Sequence, residues 1–240
     1  MKVIPLKDGD FAVTKNKEFT LLENAGEDTQ LTMAIQPFLI ILQEEYLLLD
    51  AGLGWMQDEK PVIIQNLEKE NISPGDITKI LLSHLHKDHI NGLVRSEGDS
   101  YELNFPNAEV YLQKREYEYV QSKKESSSFD FEILEFIIQN ARIVWMDEDR
   151  GQLSPEVYFE VTGGHTPFHQ VFRIKEGKEI FFYGADNLPQ SVYLKYHVAY
   201  KTDYDGKKAM EQRIKWEVQA KEEGWKILLY HDMKVPILKM

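Results

Sequence analysis

The chain of 240 residues predicts an α+β fold in layers. Three observations carry that reading. Apolar strand-like runs fall into two groups, helical stripes are inserted in or follow each group, and strands do not alternate with helices as a doubly wound parallel sheet requires. The length suits one large domain or two small ones, and no internal repeat or long low-complexity linker divides it, so a single domain over 1–240 is expected.

In the N-terminal third, Met33 to Leu42 and Tyr46 to Asp50 are apolar runs separated by Gln43-Glu44-Glu45. That pattern predicts a hairpin buried on both faces. Asp50-Ala51-Gly52-Leu53-Gly54 then breaks the chain. Pro61 to Glu70 carries Val62, Ile63, Ile64 and Leu67 at helical spacing, with Pro61 in the first turn. Asn71 to Asp76 is a turn, and Ile77 to Ser83 is a short apolar strand that ends at His84. Ala108 to Leu112 follows as a strand and Lys114 to Lys123 as a helix. Lys123 to Ser128 reads as a surface loop, and Phe131 to Asn140 has a helical stripe. Arg142 to Met146, Val157 to Val161, Val171 to Ile174 and Ile180 to Tyr183 read as strands, the last two joined by the turn Lys175-Glu176-Gly177-Lys178. Gly206 to Glu223 is the strongest helix, and Trp225 to Tyr230 is a closing strand that ends at His231.

Composition narrows the function classes. Forty acidic against 28 basic residues give a net charge of −12, which disfavours nucleic acid and anionic membranes as partners. Hydrophobic residues at 42% supply a sizeable core and exclude global disorder. No signal-like segment opens the chain, and Phe38 to Leu42, its longest apolar run, is far too short to span a bilayer, so a soluble cytoplasmic protein is expected. Cysteine is absent. Disulfides, thiolate metal sites, iron–sulfur clusters and cysteine nucleophiles are therefore excluded, and any metal must be held by nitrogen and oxygen.

Ser83-His84-Leu85-His86-Lys87-Asp88-His89 places three imidazoles and one carboxylate directly after an apolar strand. Three further ligand types sit at the ends of apolar strands: His165 after Val157 to Val161, Asp186 after Ile180 to Tyr183, and His231 after Lys226 to Tyr230. One isolated histidine is better read as a polar residue satisfied at a strand end. The whole set reads as metal ligands.

These residues are similar to the metallo-β-lactamase fold superfamily, whose motif Ser/Thr-His-x-His-x-Asp-His is met by Ser83 to His89. The resemblance runs from the Asp50-x-Gly52 turn to His231. It implies a four-layer αββα sandwich with a two-metal site at the sheet edge. By that resemblance His84, His86 and His165 hold one metal, Asp88, His89 and His231 the other, and Asp186 bridges them. Two divalent ions are implied, zinc foremost, with iron, cobalt and manganese also suited to these ligands. Two such ions about 3.5–4 Å apart can share a hydroxide that opens an ester or lactone. Asp88 would then orient or deprotonate the water. Asp50 is either a residue that orients a ligand histidine or a plain turn residue.

Two departures stand out. Asn91 replaces the first glycine expected after the cluster, and Phe168 replaces a glycine before His169. His169 is read as a support for a ligand or as a core-edge residue, and His197 as an ordinary surface histidine.

Within the superfamily, the N-acyl homoserine lactonase-like branch is nearest in length and ligand spacing. Those lactonases place a tyrosine soon after the bridging Asp, and Tyr193 and Tyr196 are the candidates here, although they lie farther along the chain than that pattern. A small ester or lactone is the expected substrate. Alternatives are a glyoxalase II-type thioesterase, an aryl-ester or organophosphate hydrolase and, outside enzymes, a metal-binding regulatory protein. A homodimer is left open.

Overall fold

The computed structural model describes residues 1–43, 45–98 and 100–240. Two compact units emerge from its contacts: Met1–Leu112 with Val120–Trp145, and Gln113–Tyr119 with Met146–Met240.

The first unit begins with β1 (Lys2–Pro5), β2 (Gly9–Val13), β3 (Phe19–Leu21) and β4 (Leu31–Ile35). β5 (Phe38–Ile41) and β6 (Tyr46–Leu49) follow as an antiparallel pair. The expected hairpin is present, with Phe38, Leu39, Ile40, Leu47, Leu48 and Leu49 all at 0% exposure. Each such side chain contributes about 1.5–3 kcal/mol by leaving water, so this pair anchors its sheet. Glu44, in the expected turn, lies outside the described residues.

One expectation is corrected. Met33 to Leu42 is not a single strand: it is cut at Gln36-Pro37, because proline donates no ladder hydrogen bond. β4 pairs with β2 in a three-stranded sheet, whereas β5 belongs to a six-stranded one.

The chain continues through the short pair β7 (Met56–Gln57) and β8 (Lys60–Pro61) into α1 (Val62–Lys69), which buries Val62, Ile63, Ile64 and Leu67. Pro61 sits just outside the helix at its N-cap. Then come β9 (Lys79–Leu81), α2 (Lys87–Ile90), the pair β10 (Val94–Glu97) and β11 (Ser100–Leu103), β12 (Glu109–Gln113) and α3 (Lys114–Gln121), most of which belongs to the second unit. α4 (Phe131–Asn140) opens with the Asp130 carboxylate accepting from Ile133 N, and β13 (Arg142–Met146) completes the sheet β1-β5-β6-β9-β12-β13. Within it β9 is central and parallel to both β6 and β12. The ends of β6 and β9 are therefore neighbours, and that places Asp50 beside the histidine cluster.

The second unit carries β14 (Arg150–Gln152), β15 (Val157–Val161), β16 (Gln170–Glu176), β17 (Glu179–Tyr183), α5 (Val192–Tyr196), α6 (Gly206–Glu223), β18 (Lys226–Leu228) and β19 (Ile237–Lys239). The six strands form one sheet in sequence order. β16 and β17 meet across Gly177-Lys178, a two-residue turn with Gly177 at positive φ. α6 starts with the Asp205 carboxylate accepting from Lys208 N and stops at Gly224 in the left-handed conformation. Phe182 packs on Trp216 and Trp225 at ring-centroid distances of 4.9 and 5.0 Å, which ties the helix to the sheet.

Candidate metal centre

In the first unit the site is built on a strained turn. Asp50 leaves β6 at φ 55°, a left-handed conformation unusual for a side chain other than glycine. Three hydrogen bonds offset that strain. The Asp50 carboxylate accepts from Ser83 N at 2.7 Å and Ser83 Oγ at 2.6 Å, and lies 2.7 Å from His89 Nδ1. Ser83 Oγ is also 3.0 Å from His84 Nδ1. Asp50 thus fixes the His89 ring through its Nδ1 and is more than a turn residue.

His86 precedes α2, and Asp88 and His89 lie within that helix. The His84 ring lies 4.5 Å from that of His86 and 4.2 Å from that of His89. His84 and His86 each offer a ligand atom within 4.8 Å of the other, and so do Asp88 and His89. Ala51 N donates to His89 O at 2.7 Å, which closes the turn over the helix.

That closure explains Gly92: a Cβ there would sit 1.9 Å from Ala51 O. Asn91 has φ −63°, so no left-handed residue is required at the position where the family's first glycine stood.

In the second unit His165 is held from several sides. Its backbone N–H donates to Asn187 Oδ1 at 2.8 Å, its carbonyl accepts from Tyr204 N at 3.0 Å, and its Nδ1 is 2.7 Å from Asp203 Oδ1. Its Nε2 is 3.2 Å from Asp186 Oδ2, and the other oxygen of Asp186 is 3.0 Å from His231 Nε2. One carboxylate therefore spans two imidazoles. Ala185, immediately before Asp186, has φ 41°, a second strained position.

His169 is fully buried with its ring 6.2 Å from that of His165, and its carbonyl accepts from Thr162 N and Gly163 N. Phe168 fits in the glycine position because the Arg115 guanidinium covers its ring at 5.0 Å and its N–H donates to Glu116. His197 ends α5 with φ 48°, its Nε2 3.2 Å from Glu217.

Tyr193 is half-buried, 6.5 Å ring to ring from Tyr200 and 5.1 Å beneath the Arg213 guanidinium. Burial first, then Tyr200, Asp186 and Asp203, push its hydroxyl up to about 12, so it stays protonated as a donor. Tyr196 is 60% exposed with Lys195 Nζ over its ring.

Sequence reasoning missed Asp203, Asn187 and Arg213. Asn187 Nδ2 donates to Gly163 O at 2.5 Å and Thr162 Oγ1 at 2.9 Å. Its carbonyl accepts from the buried Arg213 Nη1 at 2.6 Å. Only the adjacency of Asn187 to Asp186 could have signalled it; Asp203 and Arg213 lie in no motif.

The donor set suits a divalent metal. A ligating histidine commonly gives its other ring nitrogen to a carboxylate, which fixes the tautomer. His89 with Asp50 and His165 with Asp203 both have that arrangement.

Residues 34–182 match the metallo-β-lactamase superfamily, and the chain belongs to it. Two curated relatives, N-acyl homoserine lactonases of Bacillus cereus and of a Bacillus species, are 29% and 30% identical over 120 residues. Each match spans 50% of this chain but only 42% of the relative. Among solved structures, a probable metal-dependent hydrolase from Staphylococcus aureus is 21% identical with a TM-score of 0.78, covering 99% of this chain and 91% of its own. A dizinc quorum-quenching lactonase, in complex with the product N-hexanoyl-L-homoserine, is 24% identical with a TM-score of 0.76, covering 98% and 88%. These likenesses establish the metallo-β-lactamase fold.

Proposed function

We propose that this protein is a metal-dependent hydrolase that opens lactones or esters, with N-acyl homoserine lactones the leading substrate class. The observation that carries the proposal is the orienting of ligand histidines by carboxylates, Asp50 on His89 and Asp203 on His165, in a member of this superfamily. The two units act as one catalytic domain over 1–240. His84, His86 and His165 would hold one divalent ion and Asp88, His89 and His231 the other, with Asp186 as a shared ligand. Such ions, zinc foremost, supply Lewis acidity toward a carbonyl oxygen and a water acidified to near-neutral pKa.

The protein's own groups do the rest. Asp88 takes the proton of the attacking water and returns it to the leaving alkoxide. Tyr193, kept protonated by its burial, donates a hydrogen bond to the substrate carbonyl. Tyr196 is the second candidate for that contact. The lactonase relatives favour a lactone over a thioester or aryl phosphoester.

Metal content after purification and acid release from a panel of lactones, thioesters and aryl phosphoesters test this together. Two ions per chain with turnover of lactones is the expected result. Less than one ion and no turnover on any substrate would refute it. Asp186→Ala should lose metal, whereas Tyr193→Phe should keep it and lower kcat about a hundredfold. If only Tyr196→Phe lowers kcat, the tyrosine roles are exchanged.

A further inference from the structure

We propose a second ligand site in the second unit that takes a small aromatic carboxylate. A cavity of about 450 Å³ lies between α6 and strands β14 to β17, and none of the proposed metal ligands lines it. Its volume falls in the range of small-molecule pockets.

The sheet register explains its chemistry. Phe182, Arg173 and Tyr158 are cross-strand partners in one row over β17, β16 and β15, so their side chains share a face. In the next row on that face Glu160 partners Arg150. Phe182 stacks against Trp225 and leans on Trp216, which gives the cavity an aromatic floor of buried rings. Arg173 lies over the Tyr158 ring at 5.6 Å and is exposed, as is Arg150.

Among the described residues neither guanidinium has a hydrogen bond or an ion pair, in a chain of net charge −12 where acids are abundant. Two guanidinium forks whose hydrogen-bonding edges are open, one of them resting on the Tyr158 ring, match a ligand with a flat apolar body and one carboxylate, because guanidinium pairs with carboxylate in bidentate geometry. Glu160, the cross-strand partner of Arg150 on the same rim, opposes an anion.

Titration of the metal-loaded protein with 2-naphthoate, followed by tryptophan fluorescence and calorimetry, tests the site. Saturable quenching is expected, because Trp216 and Trp225 form the floor. The uncharged analogue 2-naphthamide should bind about tenfold more weakly, and Arg173→Gln and Arg150→Gln should each weaken 2-naphthoate about tenfold, the loss expected for a charge-assisted contact. Glu160→Gln should tighten it. All three are exposed side chains, and far-UV circular dichroism confirms that the variants are folded. The proposal is overturned by absence of saturable binding, by equal affinity for acid and amide, or by arginine variants that bind unchanged. That last outcome would place the carboxylate elsewhere, including on a metal.

Discussion

Two aspartates shape the first unit's contribution to the site, one by strain and one by burial. Asp50 accepts its left-handed conformation because its carboxylate meets Ser83 and His89. Asp8 supports the same turn from behind: its Oδ2 accepts from Leu53 N at 2.9 Å, and a Cβ on Gly52 would lie 2.4 Å from that oxygen. Burial, only partly countered by the Leu53 and Gly54 amides, pushes the Asp8 carboxyl up to about 7. A carboxyl whose folded pKa is raised binds protons more tightly folded than unfolded. Its contribution to stability is complete below about pH 4 and is lost as pH rises to 7, by about 4 kcal/mol. Asp8→Asn keeps an acceptor for Leu53 and cannot ionise. Urea unfolding at pH 5 and pH 8 should therefore show a smaller pH loss in the variant than in the parent; equal losses would rule out an ionising Asp8. At this scale the His84 to His89 cluster was legible because its three histidines and Asp88 are adjacent in sequence. Asp203 was not, because its contact with His165 crosses 38 residues with no pattern between them.

At the scale of elements, the loop after β17 is held by α6 rather than by the strand that delivers it. Arg213, buried on the helix, donates to Asn187 O and Val198 O, and Asn187 in turn fixes the loop bearing His165. Asn187→Ala removes three side-chain hydrogen bonds within the buried hub. A loss of about 2–4 kcal/mol in stability is expected, along with weaker zinc retention against a chromophoric chelator. A destabilised variant with unchanged zinc retention would limit Asn187 to a structural part. The same contrast separates what the sequence displayed from what it hid. α4 and α6 were readable to the residue from their boundary signals, Asp130 for one and Asp205 with Gly224 for the other, although Ile214 and Val218 of α6 are exposed, and β13 and β15 from runs of five rich in β-branched and aromatic residues. β3, β7, β10, β11, β14 and β19 were not, since two to four residues are too few to establish a period. The break at Pro37 was visible, but five consecutive apolar residues after it masked the change of sheet.

For the molecule as a whole, the seven proposed ligands run from His84 to His231, so metal binding would be a property of the folded chain and not of any short segment. The proposed set uses five of its seven histidines and two of its acids. An unfolded chain of this composition, without cysteine, has no thiolates with which to compete for zinc. Binding to the folded state alone stabilises by RT ln(1 + [L]/Kd), about 2.7 kcal/mol at a hundredfold excess over Kd. For a chain of this size that corresponds to a shift of roughly 5–10 °C in Tm. Stripping the protein with a chelator should lower Tm by that amount, and zinc added back in excess should restore it. Asp186→Ala should show a much smaller difference between stripped and loaded forms. A Tm indifferent to chelation in a protein shown to contain metal would mean that the ions sit at sites the fold does not need, and the seven-ligand assignment would fall.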